Sequence, residues 1–188
     1  REIVSAPMTR IVRAVPAEGQ VVLNADDPRV AGMAAETAAR VLTYGTAPSA
    51  LVRAVGDVVE SLDGLQFTLG AGDAREPVTL ALAGRHNVTN ALAAAAGGVA
   101  LGFTLPEIAR GLANVRPVKG RCVWRTAGDV RILDDTYNAS PVSVRAALDT
   151  IAAHRGGHRV VVVLGDMFEL GAITDEAHRD VGRWVATL

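Results

Sequence analysis

Short apolar runs separated by turn residues organise this chain, and their period changes along it. Val21, Val22 and Leu23 in "GQVVLNADDP" predict a buried strand that ends at Asp26, Asp27 and Pro28. Small residues at helical spacing follow in "RVAGMAAETAAR", and "VLTYG" is a second short strand. Strand, helix and strand in alternation predict an α/β arrangement. From Leu51 to Ala83 the pattern turns to β-type runs, broken at Asp63-Gly64 and again between Gly70 and Asp73. Asp-Gly between apolar runs marks a hairpin, so this stretch predicts a small antiparallel sheet.

Two helices come next. "HNVTNALAAAAGGVALG", from His86 to Gly102, carries very small side chains, and Gly97 and Gly98 point to close packing. "TLPEIARGLANV" opens on Thr104 with Glu107 three residues on, a capping box, and Leu105, Ile108 and Leu112 share one face. Polar "RPVKGR" then interrupts the pattern, and we place the domain boundary there: residues 1–115 as one domain, 116–188 as a second. The second domain begins with two strands joined at Gly128-Asp129. A helix capped by Ser140 with Pro141 at its first turn follows, with Val144, Leu148 and Ile151 facing inward. "RVVVVLG", 159–165, reads as a fully buried strand, and a last helix buries Ala177, Val181, Trp184 and Leu188. Strand, helix, strand, helix predicts a right-handed crossover unit.

Composition narrows the function. The 188 residues are 49% hydrophobic but only 4% aromatic, so the core is built from Ala, Val and Leu. A formal net charge of −1 gives no reason to expect nucleic acid as a partner. No apolar run is long enough to insert in a membrane. Cys122 is the only cysteine, which excludes a disulfide framework and fits a reducing, cytoplasmic setting. The chain starts without Met and ends within a helical pattern, so it reads as a fragment. Its one lysine, Lys119, precedes Gly120, and no Gly-Lys-Ser or Gly-Lys-Thr phosphate loop exists.

The candidate chemistry gathers at three places. In open α/β sheets ligands bind beyond the carboxyl ends of strands. Asp134-Asp135 ends one predicted strand and Gly165-Asp166 the next. Alternation sends Asp134 and Asp135 in different directions. One is suited to accept local backbone hydrogen bonds, the other to hold a ribose diol or a cation. The alternative is that both are turn residues and caps. Asn87 and Asn90 lie one helical turn apart at a helix start, where the partial positive charge suits phosphate; simple capping by Asn87 or His86 is the alternative. Arg121, in the linker, has the length and charge to reach phosphates. "GAGDAR" lacks the last glycine of a dinucleotide fingerprint and reads as a hairpin loop, which argues against a nicotinamide-dependent oxidoreductase. His154, His158 and His178 read as surface or helix-end residues.

In chain order, "GRHNVTNALAAAA", "KGR", "LDDTYNASPVSVRAAL" and "VVLGDMFELG" resemble the motifs of the Mur ligases, the ATP-dependent amide ligases of peptidoglycan precursor assembly. The resemblance covers nearly the whole chain, and "LNADDP" supports it. It implies the end of a P-loop-type central ATPase domain with a small antiparallel sheet, followed by part of a Rossmann-like C-terminal domain. "DDTYNASP" with "LGDMFELG" points to the branch that adds D-Ala-D-Ala to UDP-MurNAc-tripeptide through an acyl phosphate, in a monomeric enzyme. The other readings are another Mur ligase, a folylpolyglutamate synthetase-type ligase, or a non-catalytic nucleotide-binding module. By the resemblance, Asp135 contacts the ribose of ATP, Arg121 the phosphates, and Asn87 and Asn90 the adenine side. Tyr137 and Asn138 face the incoming dipeptide. The phosphate loop and the Mg²⁺ ligands have no counterpart here, so the fragment alone is expected to be inactive.

Overall fold

The computed structural model describes residues 2–188, with side chains from Met8 onward. Helix α1 (Glu2–Arg13) leads into β1 (Gln20–Asn24), the short α2 (Pro28–Gly32) and β2 (Arg40–Gly45). Strands β3 (Val52–Ser61), β4 (Gly64–Ala71) and β5 (Ala74–Leu80) follow, then α3 (His86–Ala100) and α4 (Leu105–Ala113). The remainder comprises β6 (Val123–Ala127), β7 (Val130–Asp134), α5 (Pro141–His154) and α6 (Thr174–Val185), with one-turn 3₁₀ helices at Met33–Glu36 and Gly171–Ile173.

The α/β class is as the pattern predicts, but the hairpin region does not make a sheet of its own. Strands β1 to β5 form one sheet in sequence order. β1 and β2 run parallel, with Val21 opposite Val41 and Leu23 opposite Thr43, and β2 pairs parallel with β3 through Tyr44 and Val52. The two-residue links at 62–63 and 72–73 can join only antiparallel neighbours. β3 is therefore shared: parallel on one edge, hairpin strand on the other. The predicted helix "RVAGMAAETAAR" is shorter than its composition suggests. Regular helix stops at Gly32, a 3₁₀ turn ends at Glu36, and the Thr37 hydroxyl then accepts the Ala39 N–H at 3.1 Å. That side chain offers the backbone an alternative to continuing the helix.

The chain packs as two compact units made of interleaved segments. The first holds residues up to Val59, Gln66–Leu80 and Val88–Asn114; the second holds Glu60–Leu65, Ala81–Asn87 and Val115–Leu188. Inside the first unit, Val12, Val21, Leu23, Met33 and Ala39 form one cluster. Leu69, Leu80, Leu92, Ala95 and Ala96 are fully enclosed. α4 packs on β5 and is capped as predicted, with the Glu107 carboxylate accepting the Thr104 N–H at 2.8 Å and its hydroxyl at 2.6 Å. Gly98 has the steric role expected of it, since a Cβ there would come within 2.8 Å of Ile108; at Gly97 nothing lies within 4 Å.

In the second unit β6 and β7 form an antiparallel ribbon, with Trp124 opposite Leu133 and Val123 opposite Asp134. Ser140 caps α5 by accepting the Ser143 N–H at 3.2 Å, and Pro141 opens the first turn. α5 and α6 enclose Val144, Leu148, Met167, Ala177 and Val181, with Val162, Trp184 and Leu188 at the margin. Residues 159–165, predicted as a buried strand, join no ladder among the described residues. Val162 packs on the helices, whereas Val161 and Val163 are 69% and 89% exposed. The alternation of a strand is present, but a ladder needs a neighbouring strand to pair with, and none pairs with this run among the described residues. The strand–helix–strand crossover is accordingly not formed as a hydrogen-bonded unit.

Asp26, at the end of β1, ties the first two strands together. Its carboxylate accepts the Thr46 N–H at 2.7 Å, the Ala47 N–H at 2.9 Å and the Thr46 hydroxyl at 3.1 Å. Burial raises its pKa, but these donors outweigh that and hold it below the ordinary aspartate value. A depressed folded pKa adds stability above the unfolded value that is lost as pH falls through the folded one. Asp26→Asn should therefore lower stability by about 1 kcal/mol at neutral pH, since the group is solvent-screened. Melting curves of the two proteins should converge below pH 4 or so; an unchanged gap at acid pH would exclude this role.

Candidate active site

Three segments of the second unit meet around the predicted residues: the 118–122 turn, the 134–138 turn after β7, and the 83–87 stretch before α3. The first turn is closed by the Arg121 N–H donating to the Val118 carbonyl at 3.0 Å. Gly120 sits at φ +74°, and a Cβ there would press to 3.1 Å from the Tyr137 nitrogen. That approach lets the Tyr137 N–H donate to the Gly120 carbonyl at 3.0 Å. The Cys122 N–H donates to Asp135 Oδ1 at 3.0 Å, with Cys122 itself at φ 51°. A side-chain-bearing residue in the left-handed region is strained by about 1–2 kcal/mol, which this charge-assisted bond offsets. Arg121 completes the clasp, its guanidinium 4.0 Å above the centre of the Tyr137 ring.

The two aspartates diverge as alternation requires. Asp134 Oδ2 takes the Arg125 guanidinium at 2.9 Å, and Oδ1 takes the Thr136 hydroxyl at 2.8 Å. The Thr136 hydroxyl, with Arg125 adding to it against desolvation, holds Asp134 below the ordinary carboxylate range. Asp135 is the one that accepts a backbone bond from another loop, through Oδ1; its Oδ2 makes no hydrogen bond among the described residues.

Beside Asp135 lies a polar cluster that sequence reading missed. Gly84, at φ +88°, leaves room for its neighbours: a Cβ there would meet His86 Cε1 at 2.6 Å and Thr150 Oγ1 at 2.8 Å. Burial pushes the His86 imidazole below its ordinary value, against the pull of the Asp135 and Glu60 carboxylates. Burial likewise pushes the Cys122 thiol up to about 11, with Asp135 and Glu60 adding to the effect and Thr150 opposing it. Glu60 Oε1 is buried with no hydrogen-bond partner. The "GRH" motif was a usable signal for His86. Nothing local in "VESLDG" distinguishes Glu60 from any other polar residue near a hairpin tip.

The other predicted residues are not all gathered here. Asn87 folds back, donating through Nδ2 to the Ala83 carbonyl at 2.7 Å. Asn90 is exposed on α3 and packs with the first unit, while Asn87 packs with the second. Tyr137 is 68% exposed, and Asn138 is exposed beside it. Asp166 lies in another turn, with His178 Nε2 at 4.0 Å. Among the described residues, no group of three or more His, Cys, Asp or Glu could hold a metal ion, and no helix is long and apolar enough to cross a membrane.

The clasp is formed by the same residues that carry the motifs, and family comparison covers both sides of it. Residues 1–98 match the Mur ligase middle domain, and residues 120–188 match the Mur ligase glutamate ligase domain. The chain belongs to the Mur ligase family. The UDP-N-acetylmuramoyl-tripeptide--D-alanyl-D-alanine ligase of Mycobacterium tuberculosis H37Rv is 41% identical over 194 residues, covering 100% of this chain and 38% of the relative. The Escherichia coli K12 ligase of the same name is 46% identical over 120 residues, 63% of this chain and 26% of that protein. In fold, this Mur ligase chain is similar to a MurF structure from Acinetobacter baumannii, with TM-score 0.88 and 31% identity over 98% of this chain and 40% of that one. MurF from Thermotoga maritima in complex with ADP superposes with TM-score 0.82 at 23% identity, covering 100% of this chain and 42% of that one. The chain thus spans about two fifths of the length of the Mycobacterium tuberculosis relative and of both solved structures.

Cys122 is 6% exposed, and with its thiol raised to about 11 it should stay protonated and shielded at pH 8. Alkylation by iodoacetamide should be at least tenfold slower in the native chain than in denaturant. Equal rates would show the clasp open in solution. Linkage gives a second signature. The unfolded thiol ionises near 9 and the folded one near 11, so stability should fall as pH rises through that window.

Proposed function

We propose that the longer protein of which this chain forms a part joins D-Ala-D-Ala to UDP-MurNAc-tripeptide at the expense of ATP. The observation that carries this reading is the clasp of Arg121, Asp135 and Tyr137, built from the motif residues of a family whose compared members bear that name. ATP supplies a phosphoryl group to the tripeptide carboxylate, giving an acyl phosphate and ADP. The dipeptide amine then attacks, and phosphate leaves. For this chain's residues the work is positioning and charge stabilisation.

The residues present suit a nucleotide. Asp135 holds Cys122 through Oδ1, and its Oδ2 offers an acceptor to a ribose hydroxyl. Arg121 is exposed, and its ring contact with Tyr137 is worth about 0.5–1 kcal/mol at such a site, less than a charge-assisted bond to phosphate. Tyr137 is therefore a resting platform from which the guanidinium swings to the phosphates, and with Asn138 it lies exposed toward the dipeptide. Asn87 and Asn90, at the start of α3, take the adenine side. With no Gly-Lys-Ser or Gly-Lys-Thr phosphate loop in the sequence, residues 1–188 by themselves should not form the amide bond.

Steady-state kinetics on the longer protein test the assignment. Asp135→Asn keeps Oδ1 as acceptor for Cys122 but removes the charge. It should lower kcat/KM for ATP by roughly tenfold to a hundredfold, or about 1–3 kcal/mol. Asp134→Asn should lower the melting temperature instead and leave ATP kinetics near wild type. The reverse pattern would mean the pair is assigned the wrong way round. Removing the platform with Tyr137→Leu should lower KM for ATP by a few-fold at most, because the guanidinium no longer gives up a ring contact to reach the phosphates, whereas Tyr137→Phe should behave as wild type.

A further inference from the structure

His178 stands outside the clasp, and its hydrogen bonds admit one protonation state. Nδ1 lies 2.8 Å from the Thr174 carbonyl, which only accepts, so Nδ1 carries the proton. Nε2 receives the Met167 N–H at 3.1 Å, so Nε2 must present its lone pair. The ring is therefore the neutral Nδ1–H form, and it fastens the turn that follows residues 159–165 onto α6. That turn is under constraint at both ends. Met167 is 4% exposed and belongs to the core with Val144 and Val181, while Glu169 sits at φ 63°. Between the turn and the helices lies a cavity of about 420 Å³, lined by Val144, Leu164, Gly165, Asp166, Met167 and His178.

We propose that His178 is a proton-operated latch on this turn: neutral, it pins Met167 and closes the cavity wall; protonated, it lets the turn go. A proton on Nε2 turns the acceptor into a donor, so the Met167 N–H loses its partner and the imidazolium turns toward a carboxylate. Asp166 is that carboxylate, 4.0 Å from Nε2 and itself 82% exposed. The remaining charges on the surrounding elements are already paired or directed elsewhere. On α6, Arg179 pairs with Asp175 and Arg183 with Asp180. On α5, Arg145 pairs with Asp149 and lies over Trp184. Glu169, in the turn, and Glu176, on α6, are exposed. Histidine is the side chain whose charge ordinarily changes between pH 5 and 8.

Amide hydrogen exchange on the full chain, corrected for intrinsic rates, reads the latch directly. Between about pH 7.5 and 5.5 protection of the Met167 amide should fall at least tenfold, while that of Val144, bonded to the Ser140 carbonyl, changes less than twofold. His178→Gln places an oxygen at the depth of Nε2 without a titrating proton, so its Met167 protection should be the same at both pH values. Asp166→Asn removes the carboxylate that receives the imidazolium, and the midpoint of release should move to lower pH. Unchanged wild-type protection, equal acid loss in His178→Gln, or an unmoved midpoint in Asp166→Asn would each overturn the latch.

Discussion

The bond from the Cys122 amide to Asp135 is the constraint on which the candidate site depends. It is one hydrogen bond, but it fixes a left-handed residue, and that residue sets the direction in which Arg121 leaves the turn. Without it the 118–122 segment would be a polar linker with many conformations, and the order of its functional groups would cost conformational entropy on ligand binding. Gly120 makes the bond reachable by letting the two turns approach to backbone contact. Asp135 holds a loop through one carboxylate oxygen, while Asp134 is spent on Arg125 and Thr136.

The second unit also shows why a motif-based boundary is only part of the architecture. The hairpin tip Glu60–Leu65 and the stretch Ala81–Asn87 pack with Val115–Leu188, although both lie within the sequence matched to the middle domain. As a result, the Asp135 and Glu60 carboxylates act electrostatically on His86 across large separations in sequence. An unpartnered carboxylate oxygen buried in such a cluster is costly, and Glu60 Oε1 is such an atom.

How much of this was legible in the sequence depended on the range of each interaction. The caps of α4 and α5 were, because both partners lie within three residues. The diverging aspartates were, because strand alternation is a backbone property. Strands β1 and β2 and the hairpins were legible one by one, but not their merging through β3, which is a choice of neighbour rather than of local conformation. Glu60 and Cys122 were illegible for the same reason: what defines them is burial by distant segments. His178 looked like a surface or helix-end residue, but it lies inside α6 and is half-buried; that its ring receives the Met167 amide depends on how the preceding turn returns to the helix.

The run Val160–Val163 has a consequence for the handling of this chain. Four β-branched residues in succession, with no charge, proline or glycine among them, satisfy the composition of a segment that templates intermolecular β-pairing. Two of them, Val161 and Val163, face solvent, and the run belongs to no ladder among the described residues. Arg159 and Asp166 flank it with opposite charges and act as gatekeepers, which are weakened by high salt. In a concentrated preparation at high ionic strength, this stretch is where soluble chains would first stack into insoluble ones.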